Sequence, residues 1–157
     1  MTREHKASIH EASNKSEIAV LDLSQNCITA AGANALFQSL RYNQTIVKLS
    51  LSNQDASYQN KIGAKGAKYL KELLQVNQVL NFLDLKGNSL CDQGIFQLSQ
   101  GLKHNTGIMC LNLGQNGMQS FGVEFLKDAL ISNDKNSLVE LDISQNTIEI
   151  QGVTYLS

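Results

Sequence analysis

Apolar and polar residues alternate along this chain in a short pattern that returns five times. The first copy, residues 18–26, reads I-A-V-L-D-L-S-Q-N and closes on an asparagine. In its centre, Leu21 and Leu23 alternate with Asp22 and Ser24, which is the period-two pattern of a strand with one buried face. Each copy of the pattern therefore predicts a β-strand.

The copies are spaced almost evenly. They begin at residues 18, 46, 80, 108 and 138. In the second copy Gln54 stands where the asparagine is expected, and an inserted segment offers Asn53 or Asn60 as its substitute. Self-similarity at a nearly fixed period predicts a stack of similar units, with the differences in length placed in loops.

A helical pattern follows the strands. In the first copy, Ala35, Leu36 and Leu40 lie at helical spacing after a glycine. The glycines that open these segments are Gly32, Gly66, Gly94 and Gly122. The segments close on Asn43, Asn77, Asn105 and Asn133, and asparagine tolerates the left-handed conformation of a helix C-cap. Regular alternation of strand and helix predicts a parallel sheet with every helix on one side.

The asparagines that close four copies of the strand pattern are predicted to be structural. They are Asn26, Asn88, Asn116 and Asn146. An inward asparagine can pair backbone groups that the turning chain leaves unbonded, so we expect a hydrogen-bonded ladder from repeat to repeat. The alternative is that these amides orient a substrate or a water.

Strand motif, asparagine, glycine and helix recur in phase from Ile18 to Ser157, and in this respect the chain resembles the ribonuclease-inhibitor-like class of leucine-rich repeat proteins. The resemblance implies an α/β solenoid of about five repeats, a horseshoe segment with a parallel β-sheet on its concave face and α-helices on its convex face. It also implies that the concave sheet binds a protein partner. We divide the chain into an N-terminal leader or cap at 1–17, either a short helix or a frayed terminus, and a leucine-rich repeat domain at 18–157.

The composition of the chain argues against several classes of function. Lys and Arg number 13 against 14 Asp and Glu, so no large net field favours nucleic acid or an anionic membrane. No apolar run approaches the roughly 18 residues that a membrane helix requires. The three cysteines lack metal-ligand spacing, and no secretory signal is recognisable. We therefore expect an intracellular, cytoplasmic protein without a cofactor.

The residues that alternate with the buried leucines are the candidate binding residues. One column of them, Asp22, Ser50, Asp84, Asn112 and Asp142, forms an acidic and polar strip of roughly 19 Å across five strands. The neighbouring candidates are Lys48, Phe82, Lys86 and Glu140. We predict that these residues contact a protein partner. The alternative is that any solvated sheet face carries polar residues.

Two aromatic residues stand out near this strip. Phe82, expected to be exposed at the centre of the polar face, resembles a binding anchor. It could instead fold back on Val20 or Cys110. Tyr58 lies at the tip of the inserted loop 53–61 and is either a partner contact or part of a tolerated surface loop.

Catalytic chemistry has little support in the sequence. His5 and His10 lie in the polar leader, and His104 lies at a predicted helix end. The three aspartates of the strip fall on alternate strands, more than about 9 Å apart, which is a long separation for two carboxylates that act as a paired acid and base. The pattern thus favours a non-enzymatic protein-interaction scaffold.

Two alternative functions remain. One is a GTPase activator or regulator of the Ran-activator type, because that family shares this class of repeat. The acidic tail associated with the family is missing, however, and only Arg3 and Arg41 are present. The other is a structural subunit of a cytoskeletal or axonemal assembly, which a near-neutral, amide-rich surface suits.

The C-terminal repeat raises the question of an end contact. Its strand, residues 138–144, follows the pattern of an interior strand, and apolar residues continue over 148–156. Unpaired strand edges beside apolar surface tend to associate. We expect either that the chain is a fragment of a longer array or that a partner covers this end in an end-to-end contact.

Overall fold

A computed structural model describes residues 18–155, which form five consecutive strand–helix units. The units are β1 (Val20–Asp22) with α1 (Ala30–Leu40), β2 (Lys48–Ser50) with α2 (Gly63–Val76), β3 (Phe82–Asp84) with α3 (Cys91–Leu102), β4 (Cys110–Asn112) with α4 (Ser120–Ser132), and β5 (Glu140–Asp142) with α5 (Ile150–Tyr155). The predicted leader or cap at 1–17 and the last two residues lie outside the described part.

The five strands form one parallel sheet in chain order, and each helix packs against the helix of the next unit. Packed helices lie about 8–10 Å apart, whereas hydrogen-bonded strands lie about 4.8 Å apart. A stack of such units therefore curves with the sheet on its inner, concave side. The predicted α/β solenoid is confirmed.

The core lies between sheet and helices and is built from repeated leucines. Leu49, Leu83 and Leu111 are at most 2% exposed at the centres of the three inner strands. In the outer strands the equivalent Leu21 and Leu141 are only partly buried, because each of those strands has a neighbouring strand on one side only within residues 18–155. Burial is thus set by position in the stack as well as by residue type.

The buried face of α1 follows the expected apolar spacing only in part. The buried residues are Ala33, Phe37 and Leu40, and Leu36 is partly buried and packs against the core, whereas Ala35 is exposed. The spacing of four and three residues aligns the buried side chains on one stripe. The apolar sequence of α1 allows more than one such stripe, and contact with α2 favours the one that contains Phe37.

The asparagine ladder is present. Asn116 is 1% exposed, and its Oδ1 accepts the backbone N–H groups of Asn88 (3.0 Å) and Leu90 (3.3 Å) in the preceding repeat. Its Nδ2 donates to the carbonyl oxygen of Leu85 at 2.9 Å. In the same way, the Oδ1 of Asn146 accepts the backbone N–H groups of Asn116 and Met118. Asn116 and Asn146 therefore each join their own turn to the turn before it.

The inserted second repeat uses both of its candidate asparagines. Asn60 takes the ladder position, with its Oδ1 accepting the N–H groups of Asn26 and Ile28. Asn53 holds the insertion, since its Oδ1 accepts the N–H of Asn60 at 2.8 Å. In the regular ladder, the Asn60 N–H would bond the Oδ1 of Asn88 in the next repeat. Because Asn53 takes this N–H, the buried Oδ1 of Asn88 has no hydrogen-bond partner in the described part of the chain.

A second ladder runs along the helix ends, and it differs from the prediction. Asn77 and Asn133 have extended backbones, with φ values of −80° and −102°, rather than left-handed ones. The Nδ2 of Asn77 donates to the carbonyl oxygens of Leu40 (2.8 Å) and Asn43 (3.1 Å). The side chain thus bonds carbonyl groups at and just beyond the end of the preceding helix, where the last carbonyls have no partner within the helix itself.

The recurring glycine permits close helix packing. A Cβ atom added at Gly94 would lie 2.9 Å from the Cβ of Leu90 and 3.4 Å from the Cα of Ala64. Leu90 is fully buried beneath the start of α3, and Ala64 belongs to α2. A larger residue at position 94 would therefore clash with the buried leucine and crowd the neighbouring helix.

Candidate functional site

The strand register aligns the candidate residues in rows across the concave face. The middle row is Asp22, Ser50, Asp84, Asn112 and Asp142, and the row that begins each strand is Val20, Lys48, Phe82, Cys110 and Glu140. The central leucines of the strands lie between these rows and face the helices. The alignment predicted from period-two spacing is confirmed.

The acidic middle row has a structural task that the sequence analysis missed. The Oδ1 of Asp84 accepts the backbone N–H of Lys86 at 3.0 Å, which closes the turn where the strand ends. Asp22 and Asp142 make the equivalent bond at 2.9 and 2.8 Å. Asn112 makes it too, at 2.9 Å, with an amide oxygen. The turn therefore needs an oxygen acceptor and not a negative charge.

At the two ends of the row, the neighbouring serines also favour the charged form of the carboxylate. Ser24, through its hydroxyl and its backbone N–H, lowers the pKa of Asp22. The backbone N–H of Ser144, followed by its hydroxyl, lowers the pKa of Asp142, with a smaller effect from the charge of Lys86. A donor that favours the ionised form depresses the pKa of an acid. Both ends of the row thus carry negative charge at neutral pH.

The carboxylates of the concave face are not ion-paired within the described residues. Among the described residues, the one salt bridge joins Arg41 and Glu72 on the helical side of the solenoid, with 3.7 Å between Nη1 and Oε2. Glu140 has no hydrogen-bond or ion-pair partner for its side chain among residues 18–155. Arg41 also lies over the ring of Tyr42, at 5.9 Å from its centroid, so this arginine is engaged on the convex side.

Phe82 is partly buried rather than fully exposed. The Nζ atom of Lys48 lies over its ring, 5.7 Å from the centroid, which is within cation–π range. Lys48 belongs to the strand on one side of Phe82, and Cys110 belongs to the strand on the other. The ring therefore stands between a basic neighbour and a thiol.

A shallow depression opens beside this ring. Its lining is Phe82, Cys110, Leu111, Asn112, Glu140 and Asp142, and its volume is about 230 Å³. One wall is aromatic and the opposite wall carries two carboxylates. Most of these residues can be singled out one by one from the sequence, but the depression itself arises from the pairing of β3, β4 and β5.

Three serines occupy the other end of the face. The Ser24 and Ser50 hydroxyl oxygens lie 2.8 Å apart, and each contacts the hydroxyl of Ser52, at 3.1 and 3.2 Å. Ser52 is 6% exposed, although it follows the buried Leu51 and period-two spacing by itself places it on the solvent side of the strand. At that end of the strip, the three serine hydroxyls therefore form hydrogen bonds with one another.

Tyr58 does not join the concave rows. Its side chain is 74% exposed in the inserted loop, and its φ of 54° is left-handed. The loop is tied to the first repeat, since Cys27 donates its N–H to the Tyr58 carbonyl (2.9 Å) and Gln25 donates to Asp55 (2.8 Å). Tyr58 lines a separate depression with Cys27 and Thr29, beyond the carboxyl ends of the strands.

Residues 18–155 contain no group of three His, Cys, Asp or Glu side chains placed to bind a metal ion. The described helices include none long and apolar enough to cross a bilayer. The concave face carries charged groups, amides, serine hydroxyls, the Cys110 thiol and the ring of Phe82.

Comparison with known proteins gives sequence and structural relatives. A leucine-rich repeat family model matches residues 19–37 and 134–157. NACHT, LRR and PYD domains-containing protein 14 of Mus musculus is 33% identical over 138 residues, which cover 87% of this chain and 13% of that protein. Ribonuclease inhibitor of Sus scrofa is 30% identical over 159 residues, covering 82% of this chain and 33% of the inhibitor. The chain thus spans a third or less of the length of these relatives.

Solved structures share the fold at low sequence identity. A leiomodin-1 domain described as actin-binding site 2 matches with a TM-score of 0.69 at 17% identity, over 91% of this chain and 79% of that one. The tropomodulin C-terminal domain of Caenorhabditis elegans matches with a TM-score of 0.69 at 16% identity, over 90% and 81%. Repeat pattern, sheet topology and relatives agree that this chain belongs to the ribonuclease-inhibitor-like class of leucine-rich repeat proteins.

Proposed function

We propose that this domain is a non-enzymatic protein-interaction scaffold that binds its partner on the concave sheet face, in the cytoplasm. The observation that carries the proposal is a solvent-facing row of carboxylates that the described chain leaves without ion pairs, beside the partly exposed ring of Phe82. Charges that a protein does not neutralise itself are available to a partner, and aromatic residues near the centre of an interface contribute strongly to binding.

The test combines Phe82→Ala with Asp84→Asn. The amide at position 84 keeps an acceptor for the Lys86 N–H, as Asn112 shows in the next repeat, so the turn survives while the charge is lost. We expect proteins captured specifically by the parent domain in affinity purification with mass spectrometry to be depleted with this variant. Depletion of about tenfold corresponds to roughly 1.4 kcal/mol of binding free energy.

A matched control places similar changes on the convex side. Glu124→Gln with Asp128→Asn removes two charges from α4 without touching the sheet. This control should retain the captured proteins, and both variants should unfold thermally close to the parent. Equal capture by the parent, the control and the concave variant would refute the concave face as the binding surface.

Tyr58 is proposed as a second contact for the same partner. Its exposed ring stands on a loop that hydrogen bonds hold against the first repeat. Tyr58→Ala should therefore weaken capture without lowering stability. Retained capture would restrict the interface to the sheet.

A cytoskeletal role is a second candidate. The leiomodin-1 domain that shares this fold is described as an actin-binding site, and this likeness supplies the test partner. Co-sedimentation of residues 1–157 with filamentous actin, repeated with the Phe82→Ala, Asp84→Asn variant, tests both the partner and the surface. Absence of co-sedimentation at micromolar filament concentration would remove actin as the partner.

A further inference from the structure

The depression beside Phe82 combines features that suit one kind of side chain. The Phe82 ring forms one wall in β3, Cys110 and Leu111 belong to the strand between, and Glu140 and Asp142 form the other wall in β5. Two strand spacings separate the walls, about 9.6 Å between backbones. This width admits a long, flat side chain that has an apolar stem and a charged end.

The charge of the depression is negative and unsatisfied. Glu140 has no side-chain partner among the described residues, and Asp142 uses Oδ1 for the Ser144 N–H without forming a salt bridge. The ammonium of Lys86 acts on Asp142 only as a weak contributor to its lowered pKa. A cationic ligand would therefore meet two carboxylates that the chain itself does not neutralise.

The aromatic wall also favours a cation. Lys48 already lies over the Phe82 ring from the side of β2, which shows that this ring is placed to receive positive charge. The depression lies on the opposite, β4 side. A guanidinium group can stack on a ring and pair with a carboxylate in two parallel hydrogen bonds, whereas an ammonium is a point charge.

We propose that this depression is a binding site for an arginine side chain on an exposed segment of the protein partner. The aliphatic stem lies on Cys110 and on the backbone of Leu111, whose side chain is buried, and the guanidinium lies between the Phe82 ring and the carboxylates of Glu140 and Asp142. The proposal rests on the proposed function, since it names the partner chemistry that the concave face recognises. A basic segment fits the face because its charge is complementary to that of the strip.

The probe is the peptide acetyl-Gly-Ser-Arg-Ser-Gly-amide, titrated into isotope-labelled domain and followed by NMR. We expect saturable shifts of the backbone resonances of residues 82, 110–112 and 140–142 at millimolar peptide. The same peptide with citrulline, which keeps the shape and loses the charge, should shift them little. A lysine peptide should bind more weakly than the arginine peptide, because it cannot form the bidentate pair.

The test variant is Glu140→Gln with Asp142→Asn. Both changes conserve side-chain size, and the new amide at 142 keeps an oxygen for the Ser144 N–H, as Asn112 does for Gly114. We expect the affinity for the arginine peptide to fall by about tenfold or more, which is about 1.4 kcal/mol. Glu124→Gln with Asp128→Asn on the convex helix α4 is the charge-matched control and should bind as the parent does.

The outcomes separate this inference from the proposed function. Equal binding of the citrulline peptide, shifts scattered over the surface, or unchanged affinity in the Glu140→Gln, Asp142→Asn variant would each overturn the arginine site. If the arginine peptide fails while Phe82→Ala with Asp84→Asn still abolishes partner capture, the concave interface stands and the arginine site falls. If partner capture survives both concave variants, both proposals fall.

Discussion

At the residue scale, one side chain often joins two repeats. Asn116 contacts backbone groups of its own repeat and of the repeat before it, while it is almost completely excluded from solvent. Among residues 18–155, the Asn26 side chain makes one bond to the backbone, from Nδ2 to the Ser24 carbonyl within its own repeat, and it is exposed at the first repeat. Identical residues in identical motifs therefore differ in their energetic importance.

Asn116→Ala is predicted to destabilise the domain strongly. It would leave the buried N–H groups of Asn88 and Leu90 without their partner, at about 1–3 kcal/mol for each group left unpaired, while the Leu85 carbonyl would keep its bond from the Nδ2 of Asn88. Urea unfolding followed by circular dichroism measures the change. Asn26→Ala is the matched control, with an expected loss within about 0.5 kcal/mol, as for an ordinary surface site. Similar unfolding midpoints for Asn116→Ala and the parent would contradict the ladder's role.

At the element scale, helices pack closely because a glycine recurs near the start of each one. Gly94 lies between Leu90 beneath it and Ala64 of the neighbouring helix. At Gly32, in the first helix, an added Cβ would meet just the side chain of Ile28 among the described residues, with 3.1 Å to its Cγ2 atom. The same sequence position is therefore tight inside the stack and more open at its end.

Gly94→Ala is predicted to destabilise although alanine is the better helix former. The added methyl meets the Leu90 Cβ at 2.9 Å and the Ala64 backbone, and relieving such crowding costs about 1–3 kcal/mol, more than the roughly 1 kcal/mol gained in helix propensity. Gly32→Ala should be neutral or stabilising. Thermal unfolding of both variants measures the contrast, and equal stabilisation by the two alanines would refute close packing at Gly94.

At the scale of the whole molecule, the two sides of the solenoid and its end differ in surface character. The concave face carries charge and amides, whereas large apolar side chains are exposed beside the last repeat. Val139 is 79% exposed, Ile150 is 83% exposed and Val153 is 58% exposed. In the described part of the chain, β5 pairs with a strand on one side only. An unpaired edge beside apolar surface favours association.

The 157-residue chain is therefore predicted to self-associate or to bind an apolar dye. Val139→Lys with Ile150→Lys should reduce both effects, because it places charge on the exposed apolar surface. Tyr42→Lys, which changes an equally exposed residue (74%) near the first helix, should leave them unchanged. Light scattering and dye fluorescence provide the measurements. A monomer over a wide concentration range, without dye binding, would show that this end needs no cover.

Local periodicity in the sequence determined the repeat, the strand rows and the asparagine ladder. Alternation of leucines with Asp22 or Asp142 places a residue on one face of a strand whatever its surroundings, because successive side chains of a strand point to opposite sides. Constant spacing between copies then aligns equivalent residues across the sheet. These features depend on residues close in the chain, so one sequence sufficed to predict them.

Contacts between repeats decided the rest. Whether Asn53 or Asn60 replaces the missing ladder residue depends on the path of the inserted loop, and the structure uses both. The apolar sequence of α1 admits two buried stripes, and packing against α2 selects the one with Phe37. The depression beside Phe82 exists only because three strands bring aromatic and acidic side chains together. These features depend on hydrogen bonds and packing between residues that lie tens of positions apart in the chain, and no local pattern in the sequence encodes them.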